Sequence, residues 1–230
     1  DDSGAKGTGR LQAGVNLAVD NPLGLNDQFS IGFNTDANRK GREGGTTGNS
    51  ASYAIPYGYW TFGLATGSYS YHQQIAGLNQ TFVSSGMGQS LEFKISKVFQ
   101  RDQNQKNSVQ FRVGKRWNRA YIDDTEIDVQ RRNATYAELA WVHKHYIGPA
   151  QLDVALAGRW GTGWFNADTD LPGRQSDAPT TRYSLQTIDA TLIVPLRIAQ
   201  QPLTYIGTLR GQNTRSALYA SEQFSIGNRY

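Results

Sequence analysis

The sequence predicts an all-β fold, specifically an antiparallel transmembrane β-barrel of which this chain forms a portion. Three observations favour this fold class. Apolar and polar residues alternate along segment after segment, which is the period of a strand with one apolar face. The connections between these segments alternate between short and long. No stretch approaches the roughly 20 consecutive apolar residues of a membrane helix, whereas a barrel strand needs only about 10 residues with every second one apolar.

The first two predicted strands show the alternation plainly. In RLQAGVNLAVD, at positions 10–20, Val15 and Leu17 share one face while Asn16 and Asp20 share the other. The segment QFSIGFNTD, at positions 28–36, repeats the pattern. A helix has about 3.6 residues per turn and would mix the two sets on its surface, so both segments are predicted as strands.

Eight further segments complete a set of about ten predicted strands. They are SASYAIPY, WTFGLATGSYSYH, SLEFKISKVFQ, SVQFRVGKRWNRAY, ATYAELAWVHKHYI, QLDVALAGRWGTGW, RYSLQTIDATLIVPL and LTYIGTLRGQNTR. Several exceed the usual globular strand length of about 5 or 6 residues, as tilted membrane strands do. No segment predicts a helix and no change of composition marks a domain boundary, so residues 1–230 are interpreted as one barrel segment.

The connections fall into two classes. The short ones are NPLGLND, the PYGY corner around Gly58, DQNQ near Asn104, GPA around Pro149, and QQP ending at Pro202. The long ones are NRKGREGGTTGN, the segment around LNQTFVSSGMG, DDTEIDVQRRN and DTDLPGRQSDAPTT. In an outer-membrane barrel the short turns face the periplasm and the long loops face outward. This order orients every strand and predicts that residues 1–9 belong to an outward loop, with a strand before them.

The two faces of the predicted strands differ in chemistry. One face carries large apolar side chains, and the other carries charges in the middle of strands. A barrel in a membrane turns the first face to lipid and the second to a polar lumen. A second interpretation of the charges is that they pair across strands to hold the register. The candidate lumen-lining residues are Arg10, Glu92, Lys94, Arg112, Arg116, Glu138, Asp153, Arg159, Asp189 and Arg210.

Aromatic and small residues favour the lipid interpretation. Glycine and alanine on the polar face, such as Gly63, Gly114 and Ala157, are expected to leave room inside. An ordinary two-layer β-protein is the alternative, in which the aromatic residues form a core and the glycines mark bulges. The aromatic residues near strand ends, where interfacial girdles would lie, are Tyr53, Tyr57, Tyr59, Trp60, Tyr69, Tyr71, Trp117, Tyr121, Trp160 and Trp164.

The composition predicts no enzyme, no metal site, no cofactor and no nucleic-acid partner. Cysteine is absent, which excludes disulfides and thiolate sites. The net charge is +4, but lysine and arginine are scattered, and charged residues make up only 18% of the chain. His143 and His145 have no sequence-placed third ligand, and the acidic residues Asp123, Asp124 and Glu126 lack the glycine spacing of a calcium loop. We interpret these groups as interfacial histidines and a solvated loop.

Five stretches resemble a known family. They are DDSGAKGTGRLQ, LAVDNPLGLND, IPYGYWTFGL, YHQQIAG and FSIGNRY. Together they resemble the barrel of TpsB transporters of two-partner secretion, the haemolysin-activator and filamentous-haemagglutinin transporter group of the Omp85 superfamily. The family-motif positions are Asp20, Asn21, Pro22, Gly24, Pro56, Gly58, Trp60, Gly227 and Arg229.

The resemblance implies a monomeric sixteen-stranded barrel in the outer membrane of a Gram-negative bacterium, which exports one large TpsA-type exoprotein. On that plan this chain supplies strands two to eleven and the start of extracellular loop six. The POTRA domains, the first strand and the C-terminal strands of the family are absent from it. Arg229 precedes the arginine of the family's VRG(F/Y) motif. A general diffusion porin, another Omp85-type barrel and a soluble β-barrel binding module remain alternatives, and a segment with two unpaired edges is expected to aggregate alone.

Overall fold

The computed structural model describes residues 11–37, 44–78, 80–170, 172–175 and 177–224. Three predicted site residues, Arg10, Gly227 and Arg229, lie outside these ranges. The described residues form one antiparallel sheet. Its strands are β1 (Gln12–Asp20), β2 (Gln28–Asp36), β3 (Gly44–Tyr57), β4 (Trp60–Ala76), β5 (Thr81–Arg101), β6 (Gln105–Ile122), β7 (Thr125–Glu126), β8 (Arg132–Ile147), β9 (Ala150–Thr162), β10 (Ser184–Ile198) and β11 (Gln201–Thr214).

Each long strand pairs with its neighbours in the chain. The order is β1-β2-β3-β4-β5-β6-β8-β9-β10-β11, and the two-residue β7 pairs only with β6. The predicted all-β antiparallel fold with about ten strands is therefore confirmed. In the part of the chain that the structure describes, β1 and β11 each pair on one side. No helix among these residues is long and apolar enough to cross a membrane; the helical turns are single 3-10 turns at Asp128–Gln130, Trp164–Asn166 and Ala220–Glu222.

The strand register places the predicted polar and apolar residues on opposite faces. One row across the sheet contains Lys94, Arg112, Glu138 and Arg159. A row of the opposite face contains Lys97, Val109, Trp141 and Leu156. Alternate residues of a strand point to opposite sides, so this register keeps each chemical set together across many strands. A bulge between Val98 and Gln100 at the end of β5 is the one irregularity in the pairing of β5 with β6.

The apolar face is the more exposed of the two. Val15 is 70% exposed and Leu64 is 50% exposed, whereas Glu138 and Tyr136 on the polar face are 4% and 5% exposed. Side chains converge on the concave side of a curved sheet and diverge on the convex side, so this difference indicates that the polar face is concave. A two-layer β-protein would bury its apolar face instead. Within the described residues the buried apolar cluster is small and consists of Tyr183, Leu185 and Leu218.

The predicted long connection around LNQTFVSSGMG is wrong. Strand β4 continues to Ala76 and β5 begins at Thr81, so most of that stretch is strand and the connection spans only residues 77–80. Strand β3 likewise begins at Gly44, inside the predicted loop NRKGREGGTTGN. The strands continue because their ladders are formed by backbone groups, which glycine and serine supply as well as valine does. The long connections after β6 and β9 and all five short turns are confirmed.

Candidate functional site

Three charged residues of the polar face meet on β6, β8 and β9. Arg112, Glu138 and Arg159 are direct cross-strand partners. The Glu138 carboxylate lies 3.1 Å from Nη1 of Arg112 and 2.6 Å from Nη2 of Arg159, and Nε of Arg159 donates to it at 2.8 Å. The side chain of Glu138 is only 6% exposed, so the two guanidinium groups neutralise a nearly buried carboxylate. The sequence placed these residues on one face, and the register makes them a cluster.

A second carboxylate joins this cluster from outside the sheet. Glu222 belongs to the 3-10 turn Ala220–Glu222, which follows β11. Its Oε1 lies 2.5 Å from Nη1 of Arg116, and its Oε2 lies 3.3 Å from Nη1 of Arg159. Its side chain is 7% exposed. The sequence analysis missed Glu222 because it lies beyond the last alternating strand, where no local period indicates which way a side chain points.

Tyr136 forms the floor of the cluster. Its hydroxyl donates to Oε2 of Glu92 at 2.6 Å, and the guanidinium groups of Arg116 and Arg159 lie 5.0 Å and 4.6 Å from its ring centroid. Its ring lies over Gly114, where an added Cβ would collide with it. The prediction that Gly114 leaves room inside is therefore wrong, because the ring of Tyr136 already occupies that space.

The prediction that Tyr69 and Tyr71 lie in an interfacial girdle is wrong. The register places them on the polar face opposite Gly88 and Gly86. An added Cβ at either glycine would collide with the facing tyrosine ring. The hydroxyl of Tyr69 donates to the side-chain oxygen of Asn118 at 3.3 Å. The small residues on this face thus accommodate flat aromatic rings along the sheet.

Among the described residues, the remaining predicted polar-face charges form no ion pair with Glu138 or Glu222. Asp153 pairs with Lys144 at 3.4 Å, and Asp189 pairs with Arg210 at 3.4 Å. These side chains are 34–66% exposed, so screening by water weakens both pairs. The side chain of Lys94 extends over Gly63. The register shows that these residues share a face. The idea that this face lines a pore stays a prediction.

The turn between β1 and β2 is held by a carboxylate that the sequence analysis did not single out. Asp27 is 1% exposed and accepts hydrogen bonds from the backbone N–H groups of Leu23 and Leu25 and, at 2.8 Å, from the hydroxyl of Tyr53. Three residues of the turn have positive φ: Asn21 (58°), Gly24 (75°) and Asn26 (57°). Asparagine and glycine tolerate this backbone conformation best, which explains their place in the motif NPLGLND.

The hydrogen bonds to Asp27 determine its ionisation. Burial raises the pKa of a carboxyl group, but the hydrogen bonds from Tyr53 and from the backbone outweigh that effect and lower the pKa of Asp27.

The other short hairpin that contains family-motif positions lies between β3 and β4 and turns at Gly58, with φ 58°. It follows Pro56 of β3 and leads directly into Trp60, the first residue of β4.

Asp170 is the corresponding anchor in the long connection between β9 and β10. It accepts hydrogen bonds from the Thr180 hydroxyl at 2.5 Å, the Thr181 backbone at 2.7 Å and the Thr181 hydroxyl at 2.9 Å. Arg174 lies 3.4 Å away. Burial by itself raises the pKa of this carboxyl group. The three hydrogen bonds and Arg174 outweigh that effect, so the pKa of Asp170 is lowered. These contacts hold the described residues around Asp170 to Thr180 and Thr181, just before β10.

Aromatic and basic residues border the apolar face. Lys97 lies 4.7 Å from the ring of Trp60, and Lys115 lies 5.1 Å from the ring of Trp117. His143 stacks on Trp141 with ring centroids 5.4 Å apart, and its Nδ1 lies 2.8 Å from Oδ1 of Asn107. Tryptophan beside lysine is the pairing typical of a membrane interface, where one part of each side chain is apolar and the other is hydrated.

The acidic residues after β6 take part in pairing and turn formation. Oδ1 of Asp123 accepts a hydrogen bond from the backbone of Val83 at 2.8 Å. Glu126 lies 4.0 Å from Arg119 and 3.9 Å from Arg131. Within the ranges that the structure describes, no group of three histidine, aspartate or glutamate side chains is arranged to hold a metal ion.

The sequence matches the family model of the haemolysin secretion/activation protein ShlB/FhaC/HecB over residues 1–230. Outer membrane transporter CdiB-2 of Burkholderia pseudomallei is 39% identical over 230 residues, which are 100% of this chain and 39% of that protein. Hemolysin transporter protein ShlB of Serratia marcescens is 27% identical over 235 residues, covering 100% of this chain and 40% of that protein. The chain spans about two fifths of the length of these relatives.

Two solved structures share the fold. CdiB from Escherichia coli superposes with a TM-score of 0.92 at 23% identity, covering 100% of this chain and 42% of that chain. CdiB from Acinetobacter baumannii superposes with a TM-score of 0.79 at 24% identity, covering 95% of this chain and 38% of that chain. At these identities the likeness concerns the fold alone.

Proposed function

Because the chain belongs to the haemolysin secretion/activation protein ShlB/FhaC/HecB family, we propose that it forms part of the wall of a pore in the outer membrane of a Gram-negative bacterium. The predicted resemblance to TpsB transporters is confirmed at the level of the family. In this proposal the pore moves one large partner exoprotein, of the TpsA type, from the periplasm to the cell surface as an unfolded chain.

The observation that carries the proposal is one sheet with an apolar face and a polar face that carries ion pairs. On the apolar face Lys97 of β5 pairs with Val109 of β6. Lys115 follows Val109 six residues later along β6, so the two lysines mark a distance of six residues along the strand. At about 3.4 Å per residue this distance is about 20 Å along the strand. Because strands of such barrels tilt by about 40°, this length spans about 15 Å of membrane thickness, and the two lysine side chains extend that span toward the roughly 25 Å apolar band of an outer-membrane barrel.

The polar face supports passage of a polypeptide. It carries charges of both signs, and Glu138 and Glu222 neutralise the arginines nearest to them. A wall of a single sign would select ions by charge. A wall of compensated charges hydrates a passing backbone and holds no sequence strongly. The same ion pairs also hold the register of β6, β8 and β9, so the two roles of these charges are compatible.

The proposed position of the chain follows the family plan. We place β1 to β11, without the short β7, at strands two to eleven of a sixteen-stranded barrel, with residues 215–224 entering extracellular loop six. The confirmed short turns then face the periplasm, and the connections after β6 and β9 face outward. Further strands close the barrel in the full-length transporter, which is monomeric in this proposal.

The proposal includes no catalytic step, metal or cofactor. The relatives are named transporters. Folding of the exoprotein outside the cell supplies the direction of transport, because a folded chain cannot return through the pore. No nucleotide is needed for such a ratchet, and no binding site for one is proposed.

Deletion of the full-length gene tests the proposal. We expect one large protein to disappear from the surface and the culture medium, and to return when the gene is restored. The control is a second, unrelated outer-membrane protein whose amount should not change. Unchanged secretion of every large protein, with the transporter absent, would contradict export.

A diffusion porin is the alternative that shares the same sheet. Solute uptake by the deletion strain distinguishes the two, because a porin serves the uptake of small solutes and a transporter serves the secretion of its partner. We expect secretion of the partner to depend on the transporter while uptake of small solutes does not. A deletion strain that loses solute uptake and keeps secretion would favour the porin.

A further inference from the structure

We propose that Arg116, Arg159 and the ring of Tyr136 form a carboxylate-binding site on the polar wall, which Glu222 occupies at rest. Aspartate and glutamate side chains of the exported polypeptide then occupy it in turn during transport. This inference rests on the proposed export function. It assigns Glu222 the role of an internal ligand that competes with the transported chain.

The site is built without Glu222. Arg159 is held by the Glu138 carboxylate at 2.6 Å and 2.8 Å. The Tyr136 ring is fixed from two sides, by its hydrogen bond to Glu92 and by its close packing on Gly114. Both arginines lie over this ring, at 5.0 Å and 4.6 Å from its centroid. Arg159 is therefore held independently of Glu222, and Arg116 keeps the Tyr136 ring beneath it when the carboxylate between the two arginines changes.

Glu222 can leave without breaking a strand ladder. It belongs to a 3-10 turn beyond β11. Side chains hold this turn in place, and the Tyr183 hydroxyl also hydrogen-bonds the Glu222 carboxylate. Gln212 donates to the backbone oxygen of Glu222 at 2.8 Å and accepts from the backbone of Phe224 at 2.8 Å. Leu218 packs against Tyr183 and Leu185. By contrast, Glu92 and Glu138 lie on paired strands and cannot move away.

The charge balance favours an acidic replacement. Glu222 is the acidic partner of Arg116 within the described residues, at 2.5 Å. When it leaves, Arg116 is left uncompensated on a wall where Arg112 and Arg159 already share Glu138. A partly exposed arginine without an acidic partner binds a carboxylate through charge-assisted hydrogen bonds, and its planar guanidinium group matches carboxylate geometry well.

There is room beside the site for an incoming side chain. A cavity of 290 Å³ lies along Glu222 and is bordered by Arg159, Asp189 and Arg210. A second cavity of 290 Å³ is bordered by Glu92, Arg116 and Tyr136. One cavity reaches Arg159 and the other reaches Arg116, so each arginine is open to a passing carboxylate beside Glu222.

Block of the channel current by an acidic peptide tests the inference. The full-length transporter is measured in planar lipid bilayers with a ten-residue glutamate peptide and, as the neutral probe, a ten-residue glutamine peptide. We expect Glu222→Gln to be blocked by the acidic peptide at about tenfold lower concentration than the natural protein. The double variant Arg116→Gln, Glu222→Gln should lose this increase, and Glu222→Asp should fall between them.

The matched control is Asp153→Asn, which removes the same charge from the partly exposed pair with Lys144 on the same face, outside both cavities. We expect it to behave like the natural protein. Equal block of Glu222→Gln and the natural protein, equal block by the neutral peptide, or an Asp153→Asn effect as large as that of Glu222→Gln would each overturn the site. Resistance of the folded barrel to denaturant confirms that each variant folds. Secretion by the natural protein tests the proposed function separately, so the two failures are distinguishable.

Discussion

The polar face has two halves that share one backbone geometry and differ in nearly every side chain. The mid-strand residues of the half on β1–β4 are small and neutral: Asn16, Ala18, Ser30, Gly32, Ser50, Ser52, Ala54, Gly63, Ala65 and Gly67. The half from β5 to β10 carries large polar residues instead: Glu92, Lys94, Arg112, Arg116, Tyr136, Glu138, Asp153, Arg159 and Asp189.

The difference teaches how a wall can be both stable and permissive. In the neutral half, weak contacts such as the 2.7 Å hydrogen bond between Ser30 and Ser52 suffice, and the backbone ladder carries the stability. In the charged half, neighbouring strands are also joined by ion pairs around Glu138. We infer that the neutral half gives a passing chain a surface without strong binding groups, whereas the charged half provides one defined site.

The largest effect is expected where the charged half depends on one carboxylate. Glu138→Gln leaves Arg112 without its counter-charge and leaves Arg159 with Glu222 alone, at 3.3 Å. We expect a loss of about 3 kcal/mol of unfolding free energy, at the lower end of the range for broken buried pairs because the arginines remain partly hydrated. Denaturant unfolding of the full-length protein in detergent, followed by tryptophan fluorescence, measures it.

The control for that variant lies in the neutral half. Ser50→Ala removes one exposed hydroxyl and should change the unfolding free energy by less than about 0.5 kcal/mol. Equal stabilities of Glu138→Gln and Ser50→Ala would contradict the idea that the two halves are stabilised differently.

A matched pair of glycines gives the next largest effect. An added Cβ at Gly114 collides with the ring of Tyr136, whereas one at Gly63 meets no atom closer than 3.7 Å. We expect Gly114→Ala to cost about 2 kcal/mol because the tyrosine must leave its place. Gly63→Ala should be neutral or stabilise by up to about 1 kcal/mol, because it reduces the freedom of the unfolded chain. Thermal unfolding followed by circular dichroism compares them, and equal destabilisation would contradict this account of the charged half.

A smaller and more local effect is expected at the edge of the neutral half, in the turn that Asp27 holds. The folded pKa of Asp27 is lowered, so its stabilising contribution is present above the unfolded pKa of about 3.9. That contribution is lost as the pH falls through the lower folded pKa. Hydrogen exchange at the backbone amides of Leu23 and Leu25 should become faster relative to unfolded references over this range.

The control is Asp27→Asn, which cannot ionise. Its turn amides should exchange faster than those of the natural protein at neutral pH and should show no additional acid-dependent loss. A turn that stays equally protected in both proteins at neutral pH would show that the carboxylate does not hold it.

The smallest effect is expected at the exposed ion pair of the polar face. Asp189 and Arg210 are 57% and 66% exposed and 3.4 Å apart, so Asp189→Asn should cost no more than about 1 kcal/mol. Added salt should shrink even that difference. A cost as large as that of Glu138→Gln, in the same denaturant experiment, would show that exposure does not separate the two kinds of pair.

Much of the fold could be predicted because its signals are local. Alternation within RLQAGVNLAVD is enough to assign a strand and its two faces, since neighbouring residues of a strand always point to opposite sides. The turns at Gly58 and in NPLGLND were predictable because glycine and asparagine mark positive φ. The end of β4 was not, because Gln73 and Gln74 interrupt the apolar alternation yet are paired through their backbone with β5.

The site was predictable only as a set of residues on one face. Arg112 and Glu138 were assigned to the same side, but their contact depends on the register between β6 and β8. Tyr69 was assigned to a girdle because the sequence shows that an aromatic residue lies near a strand end, and the register places it on the polar face instead. A shift of one residue in register would separate all these partners.

The sequence by itself determined an all-β fold of alternating strands, the two chemical faces and the positions of the tight turns, because these depend on residues close together in the chain. Only the tertiary structure decided that Glu222 meets Arg116, across 106 positions, and that Tyr136 covers Gly114. Such contacts depend on strand register and on the path of a segment beyond the sheet. Both are properties of the whole assembly of strands, which no local period encodes.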